Sequence, residues 1–141
     1  MKSRISELMK LSGLKFTKQR EAILNIFIDS DRLLTADDVY LALSSSGLHY
    51  GLATVYRTIS MLCENSLLQI VTIPSDNCQY FVFSNGQHMH HLICTECKKC
   101  IPIDVCPVKQ FSESMALSQG FKITGHAFQI FGLCEECSKK K

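Results

Sequence analysis

The sequence contains no apolar run long enough to cross a membrane. Its longest apolar stretches, such as residues 67–73, are far shorter than the roughly 20 residues that a transmembrane helix needs. The N-terminal segment MKSRISELMK is charged and has no apolar region of the kind found in export signals. These absences predict a cytoplasmic protein without a membrane partner.

A strong charge imbalance is also missing. The 141 residues carry a formal net charge of only +2, which does not by itself predict a polyanionic partner. The positive charge is nevertheless local, because the first twenty residues contain six basic side chains and a single acidic one, Glu7. No internal repeat is present, and a 46% apolar chain of this length can form one medium domain or two small ones.

Motifs of zinc enzymes are absent as well. The sequence has no HExxH, and it lacks the H-x-E and P-C-x-x-C pattern of deaminases. A metalloenzyme therefore has no acid–base signature to support it, and the sequence predicts that the protein is not an enzyme. Besides a metalloenzyme, a zinc-ribbon interaction module that does not bind DNA is another function to be considered.

Cysteines are abundant, and two pairs of them have metal-ligand spacing. In a reducing cytosol, eight cysteines favour thiolate ligation of a metal over disulfides. Each C-x-x-C pair places two sulfurs on one tight turn, and two such turns complete the tetrahedral shell that Zn²⁺ accepts. The sequence predicts a structural zinc site formed by Cys94, Cys97, Cys134 and Cys137.

The other four cysteines have several interpretations. Cys100 extends the first pair to C-x-x-C-x-x-C, which resembles part of an iron–sulfur ligand run without its fourth cysteine. Cys106, which precedes a proline, is a metal ligand, a redox-active thiol or a small core residue. Cys63 and Cys78 have no ligand partner close in sequence.

The first part of the chain has the pattern of a winged helix-turn-helix. Apolar residues at helical spacing predict two helices around residues 5–9 and 23–27. A capping-box-like start at Thr35 and Asp38 predicts a third, and a fourth begins at about Leu52. Strands are predicted over residues 67–73 and 79–83.

The fourth helix carries the candidate DNA-binding face. Its apolar side leaves Thr54, Tyr56 and Arg57 to face elsewhere. A tyrosine ring can contact a thymine methyl group, and an arginine can neutralise a phosphate or read guanine. Lys15 and Arg20 are predicted to add contacts with the DNA backbone.

The second part of the chain predicts a small α/β lobe. Short β-like runs at residues 91–93, 100–103, 121–124 and 127–132 surround one helix, predicted over 107–118. Six of the eight cysteines follow residue 93, and the polar residues 84–87 suit a hinge. Together the two lobes predict an α+β fold with a boundary near residues 84–88.

Histidines next to the first C-x-x-C pair predict a second metal site. In an extended segment His88 and His90 share one face, while His91 lies on the opposite face. His126, on a run expected to lie beside this one, can supply a third nitrogen. The sequence thus predicts a regulatory site separate from the four cysteines.

The motifs described so far resemble those of the ferric uptake regulator (Fur) family. The resemblance covers essentially the whole chain and rests on the segments LKFT with Arg20, LATVYRT at residues 52–58 and HHLIC at residues 90–94. It implies a homodimeric transcription factor whose residues 1–84 form a winged-helix DNA-binding domain. Residues 88–141 would form a metal-binding dimerisation domain.

Within the family, some segments look most like zinc uptake regulators of Gram-positive bacteria. These segments are Ser30–Arg32, Cys106–Pro107, Gly125–His126 and Phe131–Cys134. The resemblance also shows departures at the hinge site, where family ligands are replaced by Leu34, Phe83, Met89 and Pro102. These replacements leave His91 as nearly the only family ligand at that place.

The dimer-domain site of the family is better preserved. The resemblance implies a regulatory metal held by His88, His90 and His126, with Lys109 where the family has an acidic ligand. Cys106, one helical turn earlier, can replace that ligand. Nitrogen and thiolate donors predict that the sensed metal is Zn²⁺ rather than Fe²⁺. Peroxide sensing is the third choice. The expected function is repression of metal-uptake genes from an AT-containing inverted repeat.

Overall fold

A computed structural model describes residues 2–85, 89–103 and 105–140. The chain divides into two compact units, Met1–His88 and Met89–Lys141. Within the described residues, no helix combines the length and the apolarity that crossing a membrane requires.

The first unit consists of four helices followed by a hairpin. Strands β1 and β2 are antiparallel, and their register runs from Leu68 opposite Phe83 to Thr72 opposite Gln79. The predicted order of helices and wing strands is therefore confirmed, with β1 shorter than expected. The elements are α1 (Lys2–Leu11), α2 (Lys18–Asp29), α3 (Ala36–Ser45), α4 (Leu52–Glu64), β1 (Leu68–Thr72) and β2 (Gln79–Phe83).

One apolar core joins all six elements of this unit. Each helix contributes residues at the three- and four-residue spacing that places side chains on one face. The hairpin contributes Leu68 and Phe81, both almost fully buried. The helical members of the core include Ile5, Met9, Ile23, Leu24, Phe27, Val39, Leu43, Val55, Ile59 and Leu62.

The starts of α2 and α3 are defined by threonine caps. The Thr17 side chain accepts a hydrogen bond from the backbone N–H of Arg20. At α3 the capping box is complete, because Thr35 Oγ1 accepts from the Asp38 N–H and Asp38 Oδ2 accepts from the Thr35 N–H. These bonds satisfy backbone donors that a helix start leaves without partners.

The second unit contains a three-stranded sheet and two helices. The strands lie in the order β4-β3-β5. β3 pairs with β4 in antiparallel fashion and with β5 in parallel fashion, with Leu92 opposite Ile130. The elements are β3 (His90–Cys94), β4 (Cys100–Ile103), α5 (Lys109–Gln119), β5 (Ile130–Gly132) and α6 (Glu135–Lys139).

One strand predicted in this unit is absent, and another is shorter than predicted. Residues 121–124 form no strand, and the strand expected over 127–132 is limited to Ile130–Gly132. The chain turns back after α5 at Gly120, where φ is +73°, and the Phe121 N–H bonds to the Ala116 carbonyl. Phe121 and Ile123 therefore line a surface depression against α5 instead of alternating across a sheet.

Helix α5 carries an exposed apolar surface. It begins two residues later than predicted, and Ala116 is its one buried residue among those described. The side chains of Phe111, Met115 and Leu117 are 66%, 50% and 83% exposed. Such a surface on an isolated chain is typical of a protein–protein interface.

Candidate metal centres and nucleic-acid interface

The four predicted zinc-binding cysteines lie together at one end of the second sheet. Cys94 ends β3, Cys97 lies on the turn that leads to β4, Cys134 precedes α6, and Cys137 lies on α6. Their sulfur atoms all lie within 4.8 Å of one another. The parallel pairing of β3 with β5 is what brings the two C-x-x-C turns to the same place.

The geometry of this four-cysteine cluster fits a zinc ion. Two sulfurs that each lie about 2.3 Å from a tetrahedral zinc are about 3.8 Å apart. The Sγ atoms of Cys97 and Cys134 are separated by 3.7 Å. Four thiols on two tight turns are also the donor set that structural zinc sites use.

Interactions within the four-cysteine cluster shift the pKa values of Cys94 and Cys137 in opposite directions. Burial by itself raises the pKa of the Cys94 thiol, but the backbone N–H groups of Cys134, Cys97 and Glu96 outweigh it and lower this pKa. The pKa of Cys137 is raised, chiefly because its hydrogen bond with Cys134 favours the protonated thiol. Since metal ligands must be thiolates, loading of this cluster depends on pH.

Cys100 does not belong to this cluster. No group of three or more ligand atoms among the described residues includes it. Burial raises the pKa of the Cys100 thiol to about 12. Cys100 therefore does not join Cys94 and Cys97 in one set of metal ligands, as an iron–sulfur ligand run would require. It is a small buried side chain of the second unit.

A second cluster brings together His90, Cys106 and His126. The Nε2 atoms of the two histidines are 3.2 Å apart, and Cys106 Sγ lies 3.0 Å from Nε2 of His126. Two nitrogens that share a tetrahedral zinc are about 3.3 Å apart, so the imidazoles already have ligand-like spacing. His90 is buried, whereas Cys106 and His126 are partly accessible.

The orientation of His90 is fixed by the segment that leads to β5. Its Nδ1 atom lies 3.1 Å from the carbonyl oxygen of Phe128. Its ring also stacks on the Phe128 ring with a centroid distance of 3.8 Å. A hydrogen bond at one imidazole nitrogen orients the other towards a metal, so Phe128 directs Nε2 of His90 into the cluster. Phe128 was not identified from the sequence, because no local pattern links it to a histidine 38 residues away.

The remaining predicted regulatory residues are placed differently. His88 lies outside the described residues. His91 is buried next to His90, but neither group of candidate metal ligands among the described residues includes it. Its backbone N–H donates to Gln129 Oε1, and its Nδ1 atom has no partner in the described part of the chain. Burial lowers the pKa of His91.

The predicted DNA-contacting residues share the exposed side of α4 and the start of α2. Tyr56 and Arg57 are exposed, and Arg57 Nη2 donates to Thr54 Oγ1 over 3.2 Å. Near α2, Arg20 Nη1 donates to the Lys15 carbonyl over 2.6 Å. The structure therefore presents aromatic and basic groups at the surface.

Comparison with known proteins identifies the family. The sequence pattern of the ferric uptake regulator family matches residues 11–131. The chain belongs to this family. The ferric uptake regulation protein of Campylobacter jejuni is 33% identical over 140 residues, covering 98% of this chain and 88% of the relative. The peroxide operon regulator of Bacillus subtilis is 34% identical over 135 residues, covering 96% and 92%.

Solved structures of the Fur family share the fold. A zinc uptake regulator complexed with zinc and DNA matches with a TM-score of 0.75 and 20% identity, covering 98% of this chain and 93% of that one. At this identity the match shows the fold alone. It confirms the predicted α+β class.

Membership of the Fur family settles the class of function. Fur-family proteins are metal-responsive transcription regulators that bind DNA and act as dimers. They are not enzymes, as the sequence predicted, and the metalloenzyme alternative is thereby excluded. Because Fur-family proteins bind DNA, a zinc-ribbon module without DNA binding is excluded as well.

Proposed function

We propose that this Fur-family protein is a zinc-responsive repressor of metal-uptake genes, acting in the cytoplasm as a homodimer on an AT-containing inverted repeat. The observation that carries the proposal is the cluster of His90, Cys106 and His126. Two imidazoles and a thiol form a donor set that suits zinc better than it suits oxygen-preferring cations. No carboxylate belongs to this cluster among the described residues.

The three side chains come from separate segments of the second unit. His90 lies on β3, His126 precedes β5, and Cys106 precedes α5. A metal ion shared by them would hold the start of α5 against the sheet. We include His88 as a further ligand because it lies two residues before His90, but its contribution rests on the sequence alone.

The four-cysteine cluster has a different proposed role. It joins the turn after β3 to the start of α6, the two ends of the folded second unit. A zinc ion there would stabilise a small domain whose apolar core is limited. We therefore assign structural zinc to Cys94, Cys97, Cys134 and Cys137, and regulation to the second cluster.

DNA binding is assigned to the first unit. Tyr56 and Arg57 project from α4, and Thr54 supports Arg57. Lys15 and Arg20 add positive charge near the start of α2. A twofold dimer would place two such helices in successive major grooves, and this arrangement matches an inverted repeat.

Iron or peroxide response is the second candidate. It is favoured by the relatives, which are named a ferric uptake regulation protein and a peroxide operon regulator. Zinc is preferred here because the second cluster has a thiol donor. The hinge positions also lack the family's ligands, with Leu34 and Pro102 in their place. A place in the zinc uptake regulator subgroup rests on the segments Ser30–Arg32, Cys106–Pro107, Gly125–His126 and Phe131–Cys134.

The test is operator binding by protein that retains its structural zinc but has an empty second cluster. Zn²⁺, Fe²⁺ and Mn²⁺ are added separately at fixed salt, and the dissociation constant is measured. Zinc is expected to tighten binding most, and the double variant His90→Ala with His126→Ala should lose this response. A matched His49→Ala variant, in the first unit, should retain it. Activation by iron alone would contradict the zinc assignment.

A further inference from the structure

The histidines of the second cluster do not by themselves select a metal. His90 and His126 each offer an Nε2 atom, 3.2 Å apart. Imidazole nitrogen is accepted by zinc, copper, iron and nickel alike. Any strong preference must therefore come from a further donor with a different chemistry.

Cys106 is the one sulfur donor in this cluster. Its Sγ atom lies 3.0 Å from Nε2 of His126, and its side chain is partly accessible. This placement contradicts a purely apolar core role, because the thiol contacts a polar nitrogen. Thiolate favours soft and borderline cations, whereas a carboxylate in the same place would favour Mn²⁺.

The second cluster suits a cation that prefers oxygen donors, such as Mn²⁺, poorly. His90 is held by the Phe128 carbonyl and ring, so its ligand atom has a fixed direction. Manganese prefers several oxygen donors, and the described part of the chain provides no carboxylate in this cluster.

We propose that Cys106 determines the metal selectivity of the second cluster. Its thiolate lets the cluster bind thiophilic divalent cations, including Cd²⁺, and excludes Mn²⁺. This inference rests on the proposed function, because it concerns the same cluster. It goes further by assigning selectivity to one side chain and by naming Cd²⁺ as a further cation that the cluster binds.

The experiment uses the full chain with zinc retained in the four-cysteine cluster. Zn²⁺, Cd²⁺, Co²⁺ and Mn²⁺ are titrated in competition with a chromogenic chelator, and zinc release is followed in parallel to detect exchange at the four cysteines. The variants are Cys106→Asp and Cys106→Ser. Cys78→Ser is the matched control, because Cys78 is exposed and lies outside both clusters. Circular dichroism verifies the fold of each variant.

The wild-type protein should bind a second equivalent of Zn²⁺ or Cd²⁺ far more tightly than Mn²⁺. Its Co²⁺ complex should show thiolate-to-cobalt charge-transfer absorption, which both Cys106 variants lose and Cys78→Ser retains. Cys106→Asp should lower the affinity for Cd²⁺ relative to Mn²⁺ by at least about tenfold, since losses even beyond the direct ligands cost about 10–100-fold in affinity.

Two other results would be decisive. If the wild-type protein bound no second equivalent of any cation, the proposed function and this inference would both fail. If a second equivalent bound without the charge-transfer absorption, or if Cys106→Asp kept wild-type selectivity, the inference alone would be overturned. Zinc sensing through the histidines would then still stand.

Discussion

At the scale of single residues, side-chain hydrogen bonds fix where helices begin and how functional groups are aimed. The capping box at Thr35 and Asp38 defines the start of α3. Arg57 is held by Thr54 on the exposed side of α4. Neither pair is buried, so each can be tested without disturbing the apolar core.

Replacement of the α3 cap should reduce stability by a small amount. Thr35→Ala removes the acceptor for the Asp38 N–H and should lower the free energy of unfolding by about 1 kcal/mol, the usual value of such a cap. Chemical denaturation monitored by circular dichroism measures the change. Thr35→Ser, which keeps the hydroxyl, should remain near wild type. Equal losses in both variants would show that the cap hydrogen bond does not stabilise α3.

Removal of the arginine on α4 should weaken operator binding without unfolding the protein. Arg57→Ala should cost about 1–3 kcal/mol of binding free energy if the guanidinium contacts a base. Anisotropy with labelled operator DNA measures this cost. Lys122→Ala removes the same charge from an exposed site in the second unit and serves as the control. Similar losses in both variants would indicate only a general effect of charge.

At the scale of secondary-structure elements, α5 carries large apolar side chains that the isolated chain leaves exposed. Its apolar side chains include Phe111 and Met115, which are 66% and 50% exposed. Family members act as dimers, and a second copy would remove such side chains from water. Each fully buried side chain of this size contributes roughly 1.5–3 kcal/mol.

A charge on this surface should therefore favour the monomer. Phe111→Asp is expected to raise the dimer dissociation constant at least about tenfold, because an unpaired carboxylate is costly to bury. Analytical ultracentrifugation over a concentration series measures the shift. Gln110→Asp places the same charge on the adjacent exposed residue and should have a smaller effect. A Phe111→Asp protein that stays dimeric would place the interface elsewhere.

At the scale of the whole molecule, the two units are stabilised in different ways. The first unit has one apolar core formed by four helices and a hairpin. The second unit has a three-stranded sheet and an exposed helix, and its two ends meet at the four-cysteine cluster. Metal loss should therefore affect the second unit first.

Cys94→Ser should destabilise the second unit and leave the first folded. Loss of one thiolate weakens the zinc site on which the small unit depends. Hydrogen exchange with mass spectrometry should show increased exchange across β3, β4 and β5, with protection retained in α2 and α4. Cys78→Ser, an exposed cysteine outside the cluster, is the control. Unchanged protection in β3 would contradict a structural role for the four cysteines.

Local patterns predicted much of the fold and part of the candidate sites. The capping residues of α3 and the C-x-x-C pairs were recognisable because their interactions are only three residues apart. The strand predicted around Phe121 is wrong, because apolar alternation cannot show that a chain folds back onto the preceding helix. The roles of Phe128 and Gln129 had no local signal at all.

The sequence by itself determined the winged-helix order, the family and the four candidate zinc ligands, because helical periodicity and short ligand spacing act within a few residues. Only the tertiary structure decided among the alternatives for Cys106, because it places the Cys106 thiol beside His90 and His126. Cys106 and His126 are 20 residues apart, and His90 and His126 are 36 apart. Such side chains meet only after β3 pairs with β5 and the chain turns back past α5.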